Sequence, residues 1–555
     1  MYPGMREANV GSMNFRSRKA TVYGTKYAVS SSQQLATQVG MDILAKGGNA
    51  ADAAVGVAAA LAIVEPCSTG LGGDCFCLFY KASEKKYFRS PAGLSLEYLR
   101  GLYGEDAEMI PYDSVHAVTV PGAAAGWVDT VDNFGSHKLS LKEILSGAID
   151  LAENGFPVSE IVSSNWKNQL HEIIAASNNH KELMVDGTRA PEQGEVFVNK
   201  NYAKILRQLA ENGKDGYYKG EAARAIVKVL ESRGGKMTLE DFEAHTSTIV
   251  DPISLEYKGY RVYECPPNGQ GLVALEALGI LNALERSGKL GKSVGEIEHN
   301  SFEYLHTLIE CLRIGFADAM FHIGDQELSG FDSNTLLTKE YLEKQAEKFD
   351  MERKNDNLVH GYPMGTSDTV YFNVVDEEGN GCSFINSNYT GFGSCIIPEG
   401  CGFTLQNRAS NFSLKTKGKN LYEGRKRPYH TIIPSLITKG DEFYGVFGVM
   451  GGFMQPQGHV QVFLNMIEFG MEPQVALDMP RFCIDSVENN VLIEDGISKE
   501  VVEKLEKSGH KIEYLTGKDR SAFGRGQIIL RTENRGRTVL SAGCDPRSDG
   551  CSSAR

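Results

Sequence analysis

The alternation of apolar and polar residues divides the first part of the chain into helices and strands. Apolar residues three or four positions apart predict amphipathic helices in "SLKEILSGAIDLAENGF" and "EAARAIVKVLESRGG". "SSQQLATQVGMDILAKGG" predicts a helix that begins after a serine and ends at a glycine. The short apolar run "CFCLFY" is typical of a buried strand. Elements that alternate in this way indicate a mixed α/β protein.

The pattern changes after a charged segment with Gly, Pro and Ser, Asp350 to Asp368, which is typical of a linker. Next, "TVYFNVVD" carries apolar residues on both faces, as a strand does in a sheet covered on each side. Helices before and after a strand-rich middle predict a layered α/β domain. The further predicted strands are "GCSFINSNY", "TIIPSLITKG", "EFYGVFGVM" and "GQIILRT", and the further helices are "GHVQVFLNMIEFG", from about Gly458, and "SKEVVEKLEKSGH".

The composition argues against a nucleic-acid or membrane partner. The chain has 555 residues, 41% of them apolar, which is ample for a large core, and a formal net charge of −14. Such a charge does not favour binding to nucleic acid or anionic lipid. The longest apolar run, Ala53 to Val64, is too short to span a bilayer and predicts a buried helix.

The cysteines and the N-terminal segment indicate a reduced protein in the cytoplasm. Eleven cysteines are scattered without a CxxC pair, and several lie in apolar segments, where Cys behaves as a small hydrophobic residue. The first residues include basic side chains but no apolar stretch typical of a signal peptide. We therefore expect a cytoplasmic location.

Several common catalytic motifs are absent from the sequence. It contains no GxxxxGK[ST], no HExxH and no GxSxG, and its histidines show no metal-ligand spacing. "GLGGD", from Gly70 to Asp74, is a tight glycine turn that lacks the strand and helix of a dinucleotide site. We therefore expect no cofactor and no metal.

Thr369 stands between the predicted linker and a predicted buried strand. It could be an ordinary strand residue, since Thr favours strands. It could also become a new N-terminus if the chain is cut before it. An N-terminal Thr supplies a nucleophilic hydroxyl and, in its α-amino group with a pKa of about 7.7–8.0, a base. The residues alone leave both interpretations open.

Gly451 and Gly452 lie between the predicted strand "EFYGVFGVM" and the next predicted helix. Two glycines allow backbone N–H groups to approach a bound carbonyl, as an oxyanion hole requires. An ordinary strand-to-helix turn is the alternative.

Many ordered motifs make the chain resemble the γ-glutamyltranspeptidase family of N-terminal-nucleophile hydrolases. This resemblance implies a proenzyme that cleaves itself into a large subunit, 1–368, and a small subunit, 369–555. It implies the α/β (α+β) class and one interleaved four-layer αββα sandwich. The motifs include "AKGGNAADAAVGVAAALAIVEPCSTGLGGDCFCLFY", "VPGAAAGW", "PPNGQG", "DTVYFNVVDEEGNGCSF", "GFGSCIIPEGCGFTLQNRASNFS", "MGGFMQPQG" and "DPRSDG".

The resemblance also assigns roles to matching positions. It implies cleavage between Asp368 and Thr369, with Thr369 as the nucleophile. Gly451 and Gly452 match the oxyanion-hole pair of the family. Ser387 matches a second Thr near the nucleophile and keeps its hydroxyl.

The substrate-binding positions depart from the transpeptidases. Their acidic residue for a substrate ammonium group is an asparagine here, their Ser-Ser pair is His-Thr, and an Asn is replaced by Tyr. One arginine, Arg89, lies at a shifted spacing. Another, Arg408, is additional, and it either binds a substrate carboxylate or forms a structural ion pair. These departures resemble the cytosolic glutathione-hydrolase-like branch, which includes an oxamate amidohydrolase. The positions are Asn411, His430, Thr431, Tyr389, Arg89 and Arg408.

The expected function is therefore amide hydrolysis through an acyl-enzyme, with weak or no transfer to amines. Candidate substrates are glutathione and other γ-glutamyl peptides, oxamate-like small amides and side-chain acylated amines. The expected partners are a small-molecule substrate and the two cleaved chains as a heterodimer, with further pairing left open. An uncleaved, inactive scaffold is the alternative outside the enzymes.

Overall fold

Two stacked β-sheets form the centre of the fold. The computed structural model describes residues 19–81, 84–87, 96–358, 367–415, 418–485 and 490–555. The strands are β1 (Val22–Gly24), β2 (Ala28–Ser31), β3 (Asp74–Lys81), β4 (Glu84–Tyr87), β5 (Phe156–Pro157), β6 (Val196–Phe197), β7 (Ile253–Tyr257), β8 (Tyr260–Glu264), β9 (Ser367–Val375), β10 (Gly381–Thr390), β11 (Ser435–Lys439), β12 (Glu442–Met450), β13 (Phe482–Ile484), β14 (Asn490–Glu494), β15 (Lys511–Leu515), β16 (Arg525–Asn534), β17 (Arg537–Cys544) and β18 (Cys551–Ala554).

The helices lie largely outside the two sheets. They are α1 (Gln34–Ala45), α2 (Ala50–Val64), α3 (Leu96–Tyr103), α4 (Ala123–Phe134), α5 (Leu141–Asn154), α6 (Glu160–Ala176), α7 (Lys200–Asn212), α8 (Lys214–Tyr218), α9 (Glu221–Glu231), α10 (Leu239–Glu243), α11 (Gly271–Arg286), α12 (Phe302–His322), α13 (Gln326–Ser329), α14 (Lys339–Ala346), α15 (Met454–Ile467), α16 (Pro473–Asp478) and α17 (Lys499–Lys507).

The sheets and helices form four layers. One sheet has the order β1-β17-β16-β12-β11-β8-β7 and the other β18-β2-β9-β10-β3-β4. Apolar side chains fill the space between them, among them Tyr371, Ile385 and Val446. Helices α1, α2 and α4 pack on the second sheet, with α5 against α2, and α11 and α15 pack on the first, with α12 against α11. The predicted αββα sandwich is confirmed.

The predicted buried helix and two-sided strand are also confirmed. Every residue of α2 is buried, and Asn49 with Asp52 forms a capping box at its start. Residues 369–375 of β9 are buried, and Asp368 directly before them is half-buried. Within the described residues, no helix has the length and hydropathy needed to cross a bilayer.

Three predicted element starts are wrong. Helix α1 is capped by Gln33 and not by a serine, since the Gln33 side chain accepts from the amides of Leu35 and Ala36. Helix α15 begins at Met454, four residues before the predicted glycine. Pro456 does not prevent this start, because it lies in the first turn, where a backbone N–H has no partner within the helix. Strand β11 begins only at Ser435, after Pro434, which cannot donate to the ladder.

Strand β9 begins at Ser367, so Thr369 is its third residue and not its first. The two residues before Thr369 extend the strand because they pair with Tyr389 and Thr390 of β10. The predicted linker is described only in part, since residues 359–366 lie outside the described residues.

Candidate active site

A β-bulge turns Ser387 towards Thr369. Val370 pairs with Asn386, but Asp368 pairs with Tyr389, so two residues of β10 stand opposite Thr369. Bulges re-aim side chains in this way and are frequent beside active sites. The Thr369 Oγ1 atom lies 2.9 Å from Ser387 Oγ, and both residues are buried.

The Ser387 hydroxyl is set up to donate towards Thr369. Its oxygen accepts from the Tyr389 N–H at 2.8 Å and from Arg408 Nη2 at 3.1 Å. These two donors occupy both lone pairs, because a hydroxyl accepts two hydrogen bonds and donates one. Its proton is then directed to Thr369 Oγ1 or to the Asp368 carbonyl oxygen, 3.2 Å away. Ser387 therefore contacts both the hydroxyl of Thr369 and the carbonyl that precedes it.

Arg408 lies directly behind Ser387 and is only 1% exposed. Besides Ser387, its guanidinium donates to Thr431 Oγ1 at 2.9 Å and to Asp74 Oδ2 at 3.4 Å, and it stacks 4.4 Å from the Tyr389 ring centre. Burial lowers the pKa of Arg408, and the Asp74 carboxylate partly offsets this, so the group stays charged. Arg408 thus makes the structural ion pair considered as its alternative role.

Asp74 joins Arg408 to His430. Its Oδ2 atom lies 3.3 Å from His430 Nε2 as well as against Arg408. Burial raises the pKa of Asp74, but the hydrogen bond and charge of His430, together with Arg408, outweigh burial and hold it below its usual value. Asp74 was not predicted from the sequence as a site residue, although it ends the glycine turn "GLGGD" and pairs with Ser387 in the sheet.

Asn411 ends the short turn that begins at Arg408, and it is 7% exposed. Its amide lies against the Tyr389 hydroxyl, whose pKa is raised well above its usual value by burial. The structure therefore brings together Tyr389, Arg408, Asn411, His430 and Thr431 around Ser387. The remaining predicted substrate-binding residue, the arginine at position 89, lies outside the described residues.

Strand β12 leads from the space between the sheets to the Thr369 end of β9. Asn373 Nδ2 donates to the Val446 carbonyl at 3.2 Å. Gly448 lies two residues further along β12, and Tyr371 lies two residues earlier in β9. The Tyr371 ring covers Gly448, where an added Cβ would lie 2.5 Å from a ring carbon. Another two residues in the same directions lead to Thr369 in β9 and to the last residue of β12, since every second side chain of a strand points to the same face.

Gly451 and Gly452 follow directly after β12. Their φ angles are +130° and +58°, which favour glycine. Within the described part of the chain, neither N–H donates to another residue. Gln270 Nε2 fixes the turn by donating to both the Gly452 and the Thr431 carbonyls at 2.7 Å. Two undonated N–H groups in a fixed turn are what an oxyanion requires.

A second charged group lies on the other side of Thr369. Asp368 Oδ1 accepts from Arg525 Nη2 at 2.6 Å and from Ser68 Oγ at 2.8 Å. Neither Arg525 nor Ser68 was predicted from the sequence as a site residue. No motif around Arg525 indicates its role, because its partner Asp368 lies far away in the sequence. No cluster of metal-ligating side chains is found among the residues that the structure describes.

Comparison with known proteins places these residues in a family context. The profile of the family described as "Gamma-glutamyltranspeptidase" matches residues 36–554. The chain is 36% identical to the glutathione hydrolase-like YwrD proenzyme of Bacillus subtilis (strain 168), over 96% of this chain and 98% of that one. It is 30% identical to the oxamate amidohydrolase proenzyme of Klebsiella pneumoniae, over 93% and 96%. The solved structure of cephalosporin acylase from Bacillus halodurans is similar with a TM-score of 0.87, 38% identity and 98% coverage of both chains.

Proposed function

Because the chain belongs to the γ-glutamyltranspeptidase family and is a self-processing amide hydrolase, we propose that it cuts itself between Asp368 and Thr369. The observation that carries this proposal is the buried pair of Thr369 and Ser387 hydroxyls, 2.9 Å apart, beside the Asp368 carbonyl. Cleavage there frees the α-amino group that an N-terminal Thr nucleophile needs as its base. The products are a large chain, 1–368, and a small chain, 369–555, which remain together.

Self-cleavage proceeds through an ester. The Thr369 Oγ attacks the Asp368 carbonyl carbon, and Ser387 donates to the carbonyl oxygen as negative charge develops on it. The C–N bond breaks, and the proton from the Thr369 hydroxyl ends on the departing nitrogen. Water then hydrolyses the ester, which leaves a carboxylate on Asp368 and restores the Thr369 hydroxyl.

Substrate hydrolysis repeats this chemistry on an external amide. The free amino group of Thr369, with a pKa of about 7.7–8.0, takes the proton of its own hydroxyl as Oγ attacks the substrate carbonyl. The N–H groups of Gly451 and Gly452 stabilise the oxyanion. The amine leaves with a proton, and water releases the acyl group. Ser387 holds the nucleophilic oxygen in place.

The substrate class that we propose is a small amide whose acyl group carries a carboxylate, including glutathione and other γ-glutamyl peptides. The names of the relatives support this class, since they include a glutathione hydrolase-like protein and an oxamate amidohydrolase. An oxamate-type small amide is the second candidate. It is favoured by Asn411, which cannot form an ion pair with the ammonium group of a γ-glutamyl donor.

The test is a denaturing gel of purified protein. We expect two fragments of roughly 40 and 20 kDa from the total of 60.7 kDa, and N-terminal sequencing of the smaller one should begin at Thr369. Thr369→Ala should give a single full-length band without amine release from glutathione, glutamine or oxamate. A wild-type chain that stays uncut and still hydrolyses amides would contradict the mechanism. An uncut, inactive chain would support the scaffold alternative.

A further inference from the structure

The residue before the proposed cleavage site is held by a buried arginine. Asp368 Oδ1 accepts from three donors: Arg525 Nη2 at 2.6 Å, Ser68 Oγ at 2.8 Å and the Thr369 N–H at 3.1 Å. The last of these is the nitrogen of the peptide bond that would be cut. The Asp368 side chain therefore fixes both sides of that bond relative to Arg525.

Arg525 is itself rigidly held. It begins β16 and pairs in register with Met450, whose Sδ accepts from Arg525 Nε at 3.4 Å. Its Nη1 lies 3.6 Å from Glu65 Oε2, and Glu65 accepts in turn from the Ser32 hydroxyl. Burial lowers the pKa of Arg525, but the carboxylates of Asp368 and Glu65 raise it more, so the guanidinium is charged.

We propose that Arg525 is a positioning residue for self-cleavage, an inference that rests on the proposed cut before Thr369. By holding Asp368, it keeps the Asp368 carbonyl beside both the Thr369 hydroxyl and the Ser387 donor. Attack by a neighbouring hydroxyl depends steeply on such alignment. The guanidinium forms no bond to the reacting atoms and exchanges no proton with them.

This role is separable from substrate hydrolysis. The contact acts on the Asp368–Thr369 bond, which no longer exists in the cleaved enzyme. A loss of Arg525 should therefore slow self-cleavage more than it lowers kcat per cleaved molecule. A merely structural role would lower thermal stability and both rates in parallel.

The experiment measures the rate at which full-length chain disappears after a pulse of cell-free synthesis. Arg525→Gln and Asp368→Asn should each slow cleavage at least tenfold, because a charge-assisted bond is replaced by a neutral one. The double variant should be no slower than the slower single variant, since both remove the same contact. Arg525→Lys, which keeps the charge and loses the planar fork, should recover part of the rate. Arg531→Gln, on the same strand and bonded to Thr538, is the matched control and should cleave like wild type.

The inference is overturned if either single variant cleaves at the wild-type rate or if the two effects multiply in the double variant. Thermal unfolding in the Thr369→Ala background shows whether each variant folds. If Arg525→Gln does not fold, Asp368→Asn tests the same contact from its other side. N-terminal sequencing separates this result from the proposed function: a wild-type chain not cut at Thr369 refutes the proposed function, whereas one cut there with equally fast Arg525 variants refutes only this inference.

Discussion

At the residue scale, both proposed reactions depend on the Ser387 hydroxyl. It donates towards Thr369 Oγ1 and the Asp368 carbonyl because Tyr389 and Arg408 already donate to it. We expect Ser387→Ala to slow self-cleavage by about 10²–10³-fold, the effect of removing one oxyanion donor. Ser387→Thr keeps the hydroxyl and should cleave within a few-fold of wild type. The measurement is the same pulse-labelled time course, and equal rates for Ala and Ser at this position would exclude the donor role.

We expect Asn411 to determine how strongly the proposed acyl pocket binds the ammonium group of a substrate. A carboxylate there could pair with the α-amino group of a γ-glutamyl donor, whereas the amide forms only a neutral acceptor bond. Charge-assisted bonds contribute about 1.5–3 kcal/mol against about 0.5–1.5 for neutral ones, a difference of roughly tenfold in rate. Asn411→Asp should therefore raise the kcat/KM ratio of glutathione over its desamino analogue about tenfold.

The control for this change is Asn357→Asp, which adds the same charge at an exposed position. It should leave the ratio unchanged. If wild type already prefers glutathione strongly over the desamino analogue, another residue recognises the ammonium group and the role given to Asn411 is wrong. In wild type, amidation of the substrate carboxylate should cause the larger loss.

At the scale of elements, local patterns predicted what local forces decide. Helix α2 and strand β12 match their predictions because each is determined by neighbouring residues. Helix α2 is a continuous apolar run that follows the capping residue Asn49, and β12 is an apolar segment that ends before two glycines. The bulge at Ser387 could not be predicted, since it depends on pairing with two different strands. Asp74 was missed for the same reason, because Arg408 and His430 reach it from more than 300 residues away.

Gly448 tests how closely β12 and β9 pack. An added Cβ would lie 2.5 Å from the Tyr371 ring, and the ring is buried between the two sheets. Gly448→Ala should lower the free energy of unfolding by about 1–3 kcal/mol, as overpacking does elsewhere. Gly101→Ala, in helix α3 with nothing within 4 Å of its Cβ, should be neutral or stabilising. Thermal unfolding in the Thr369→Ala background measures both, and equal stabilities would show that the sheets move apart easily.

At the scale of the whole molecule, the proposed cut divides both central sheets between the two pieces. In the sheet β18-β2-β9-β10-β3-β4, strand β2 of the large piece lies between β18 and β9 of the small piece. In the other sheet, β17, β16, β12 and β11 of the small piece are flanked by β1 and β8 of the large piece. Separation would therefore break ladders at several strand boundaries and expose the apolar layer between the sheets.

The two pieces should consequently stay together without a covalent bond. Each Å² of buried apolar surface stabilises the pair by about 25 cal/mol, and the interleaved sheets share a buried apolar core. None of the eleven cysteines, all within the described residues, forms a disulfide, and the Sγ atoms of Cys77 and Cys382, one on each piece, lie 3.6 Å apart. We expect wild-type protein in dithiothreitol to elute as one species on size exclusion, with uncut Thr369→Ala as the reference, and to separate only in denaturant. Dissociation by the reductant alone would mean that a disulfide, and not the shared sheets, holds the pieces together.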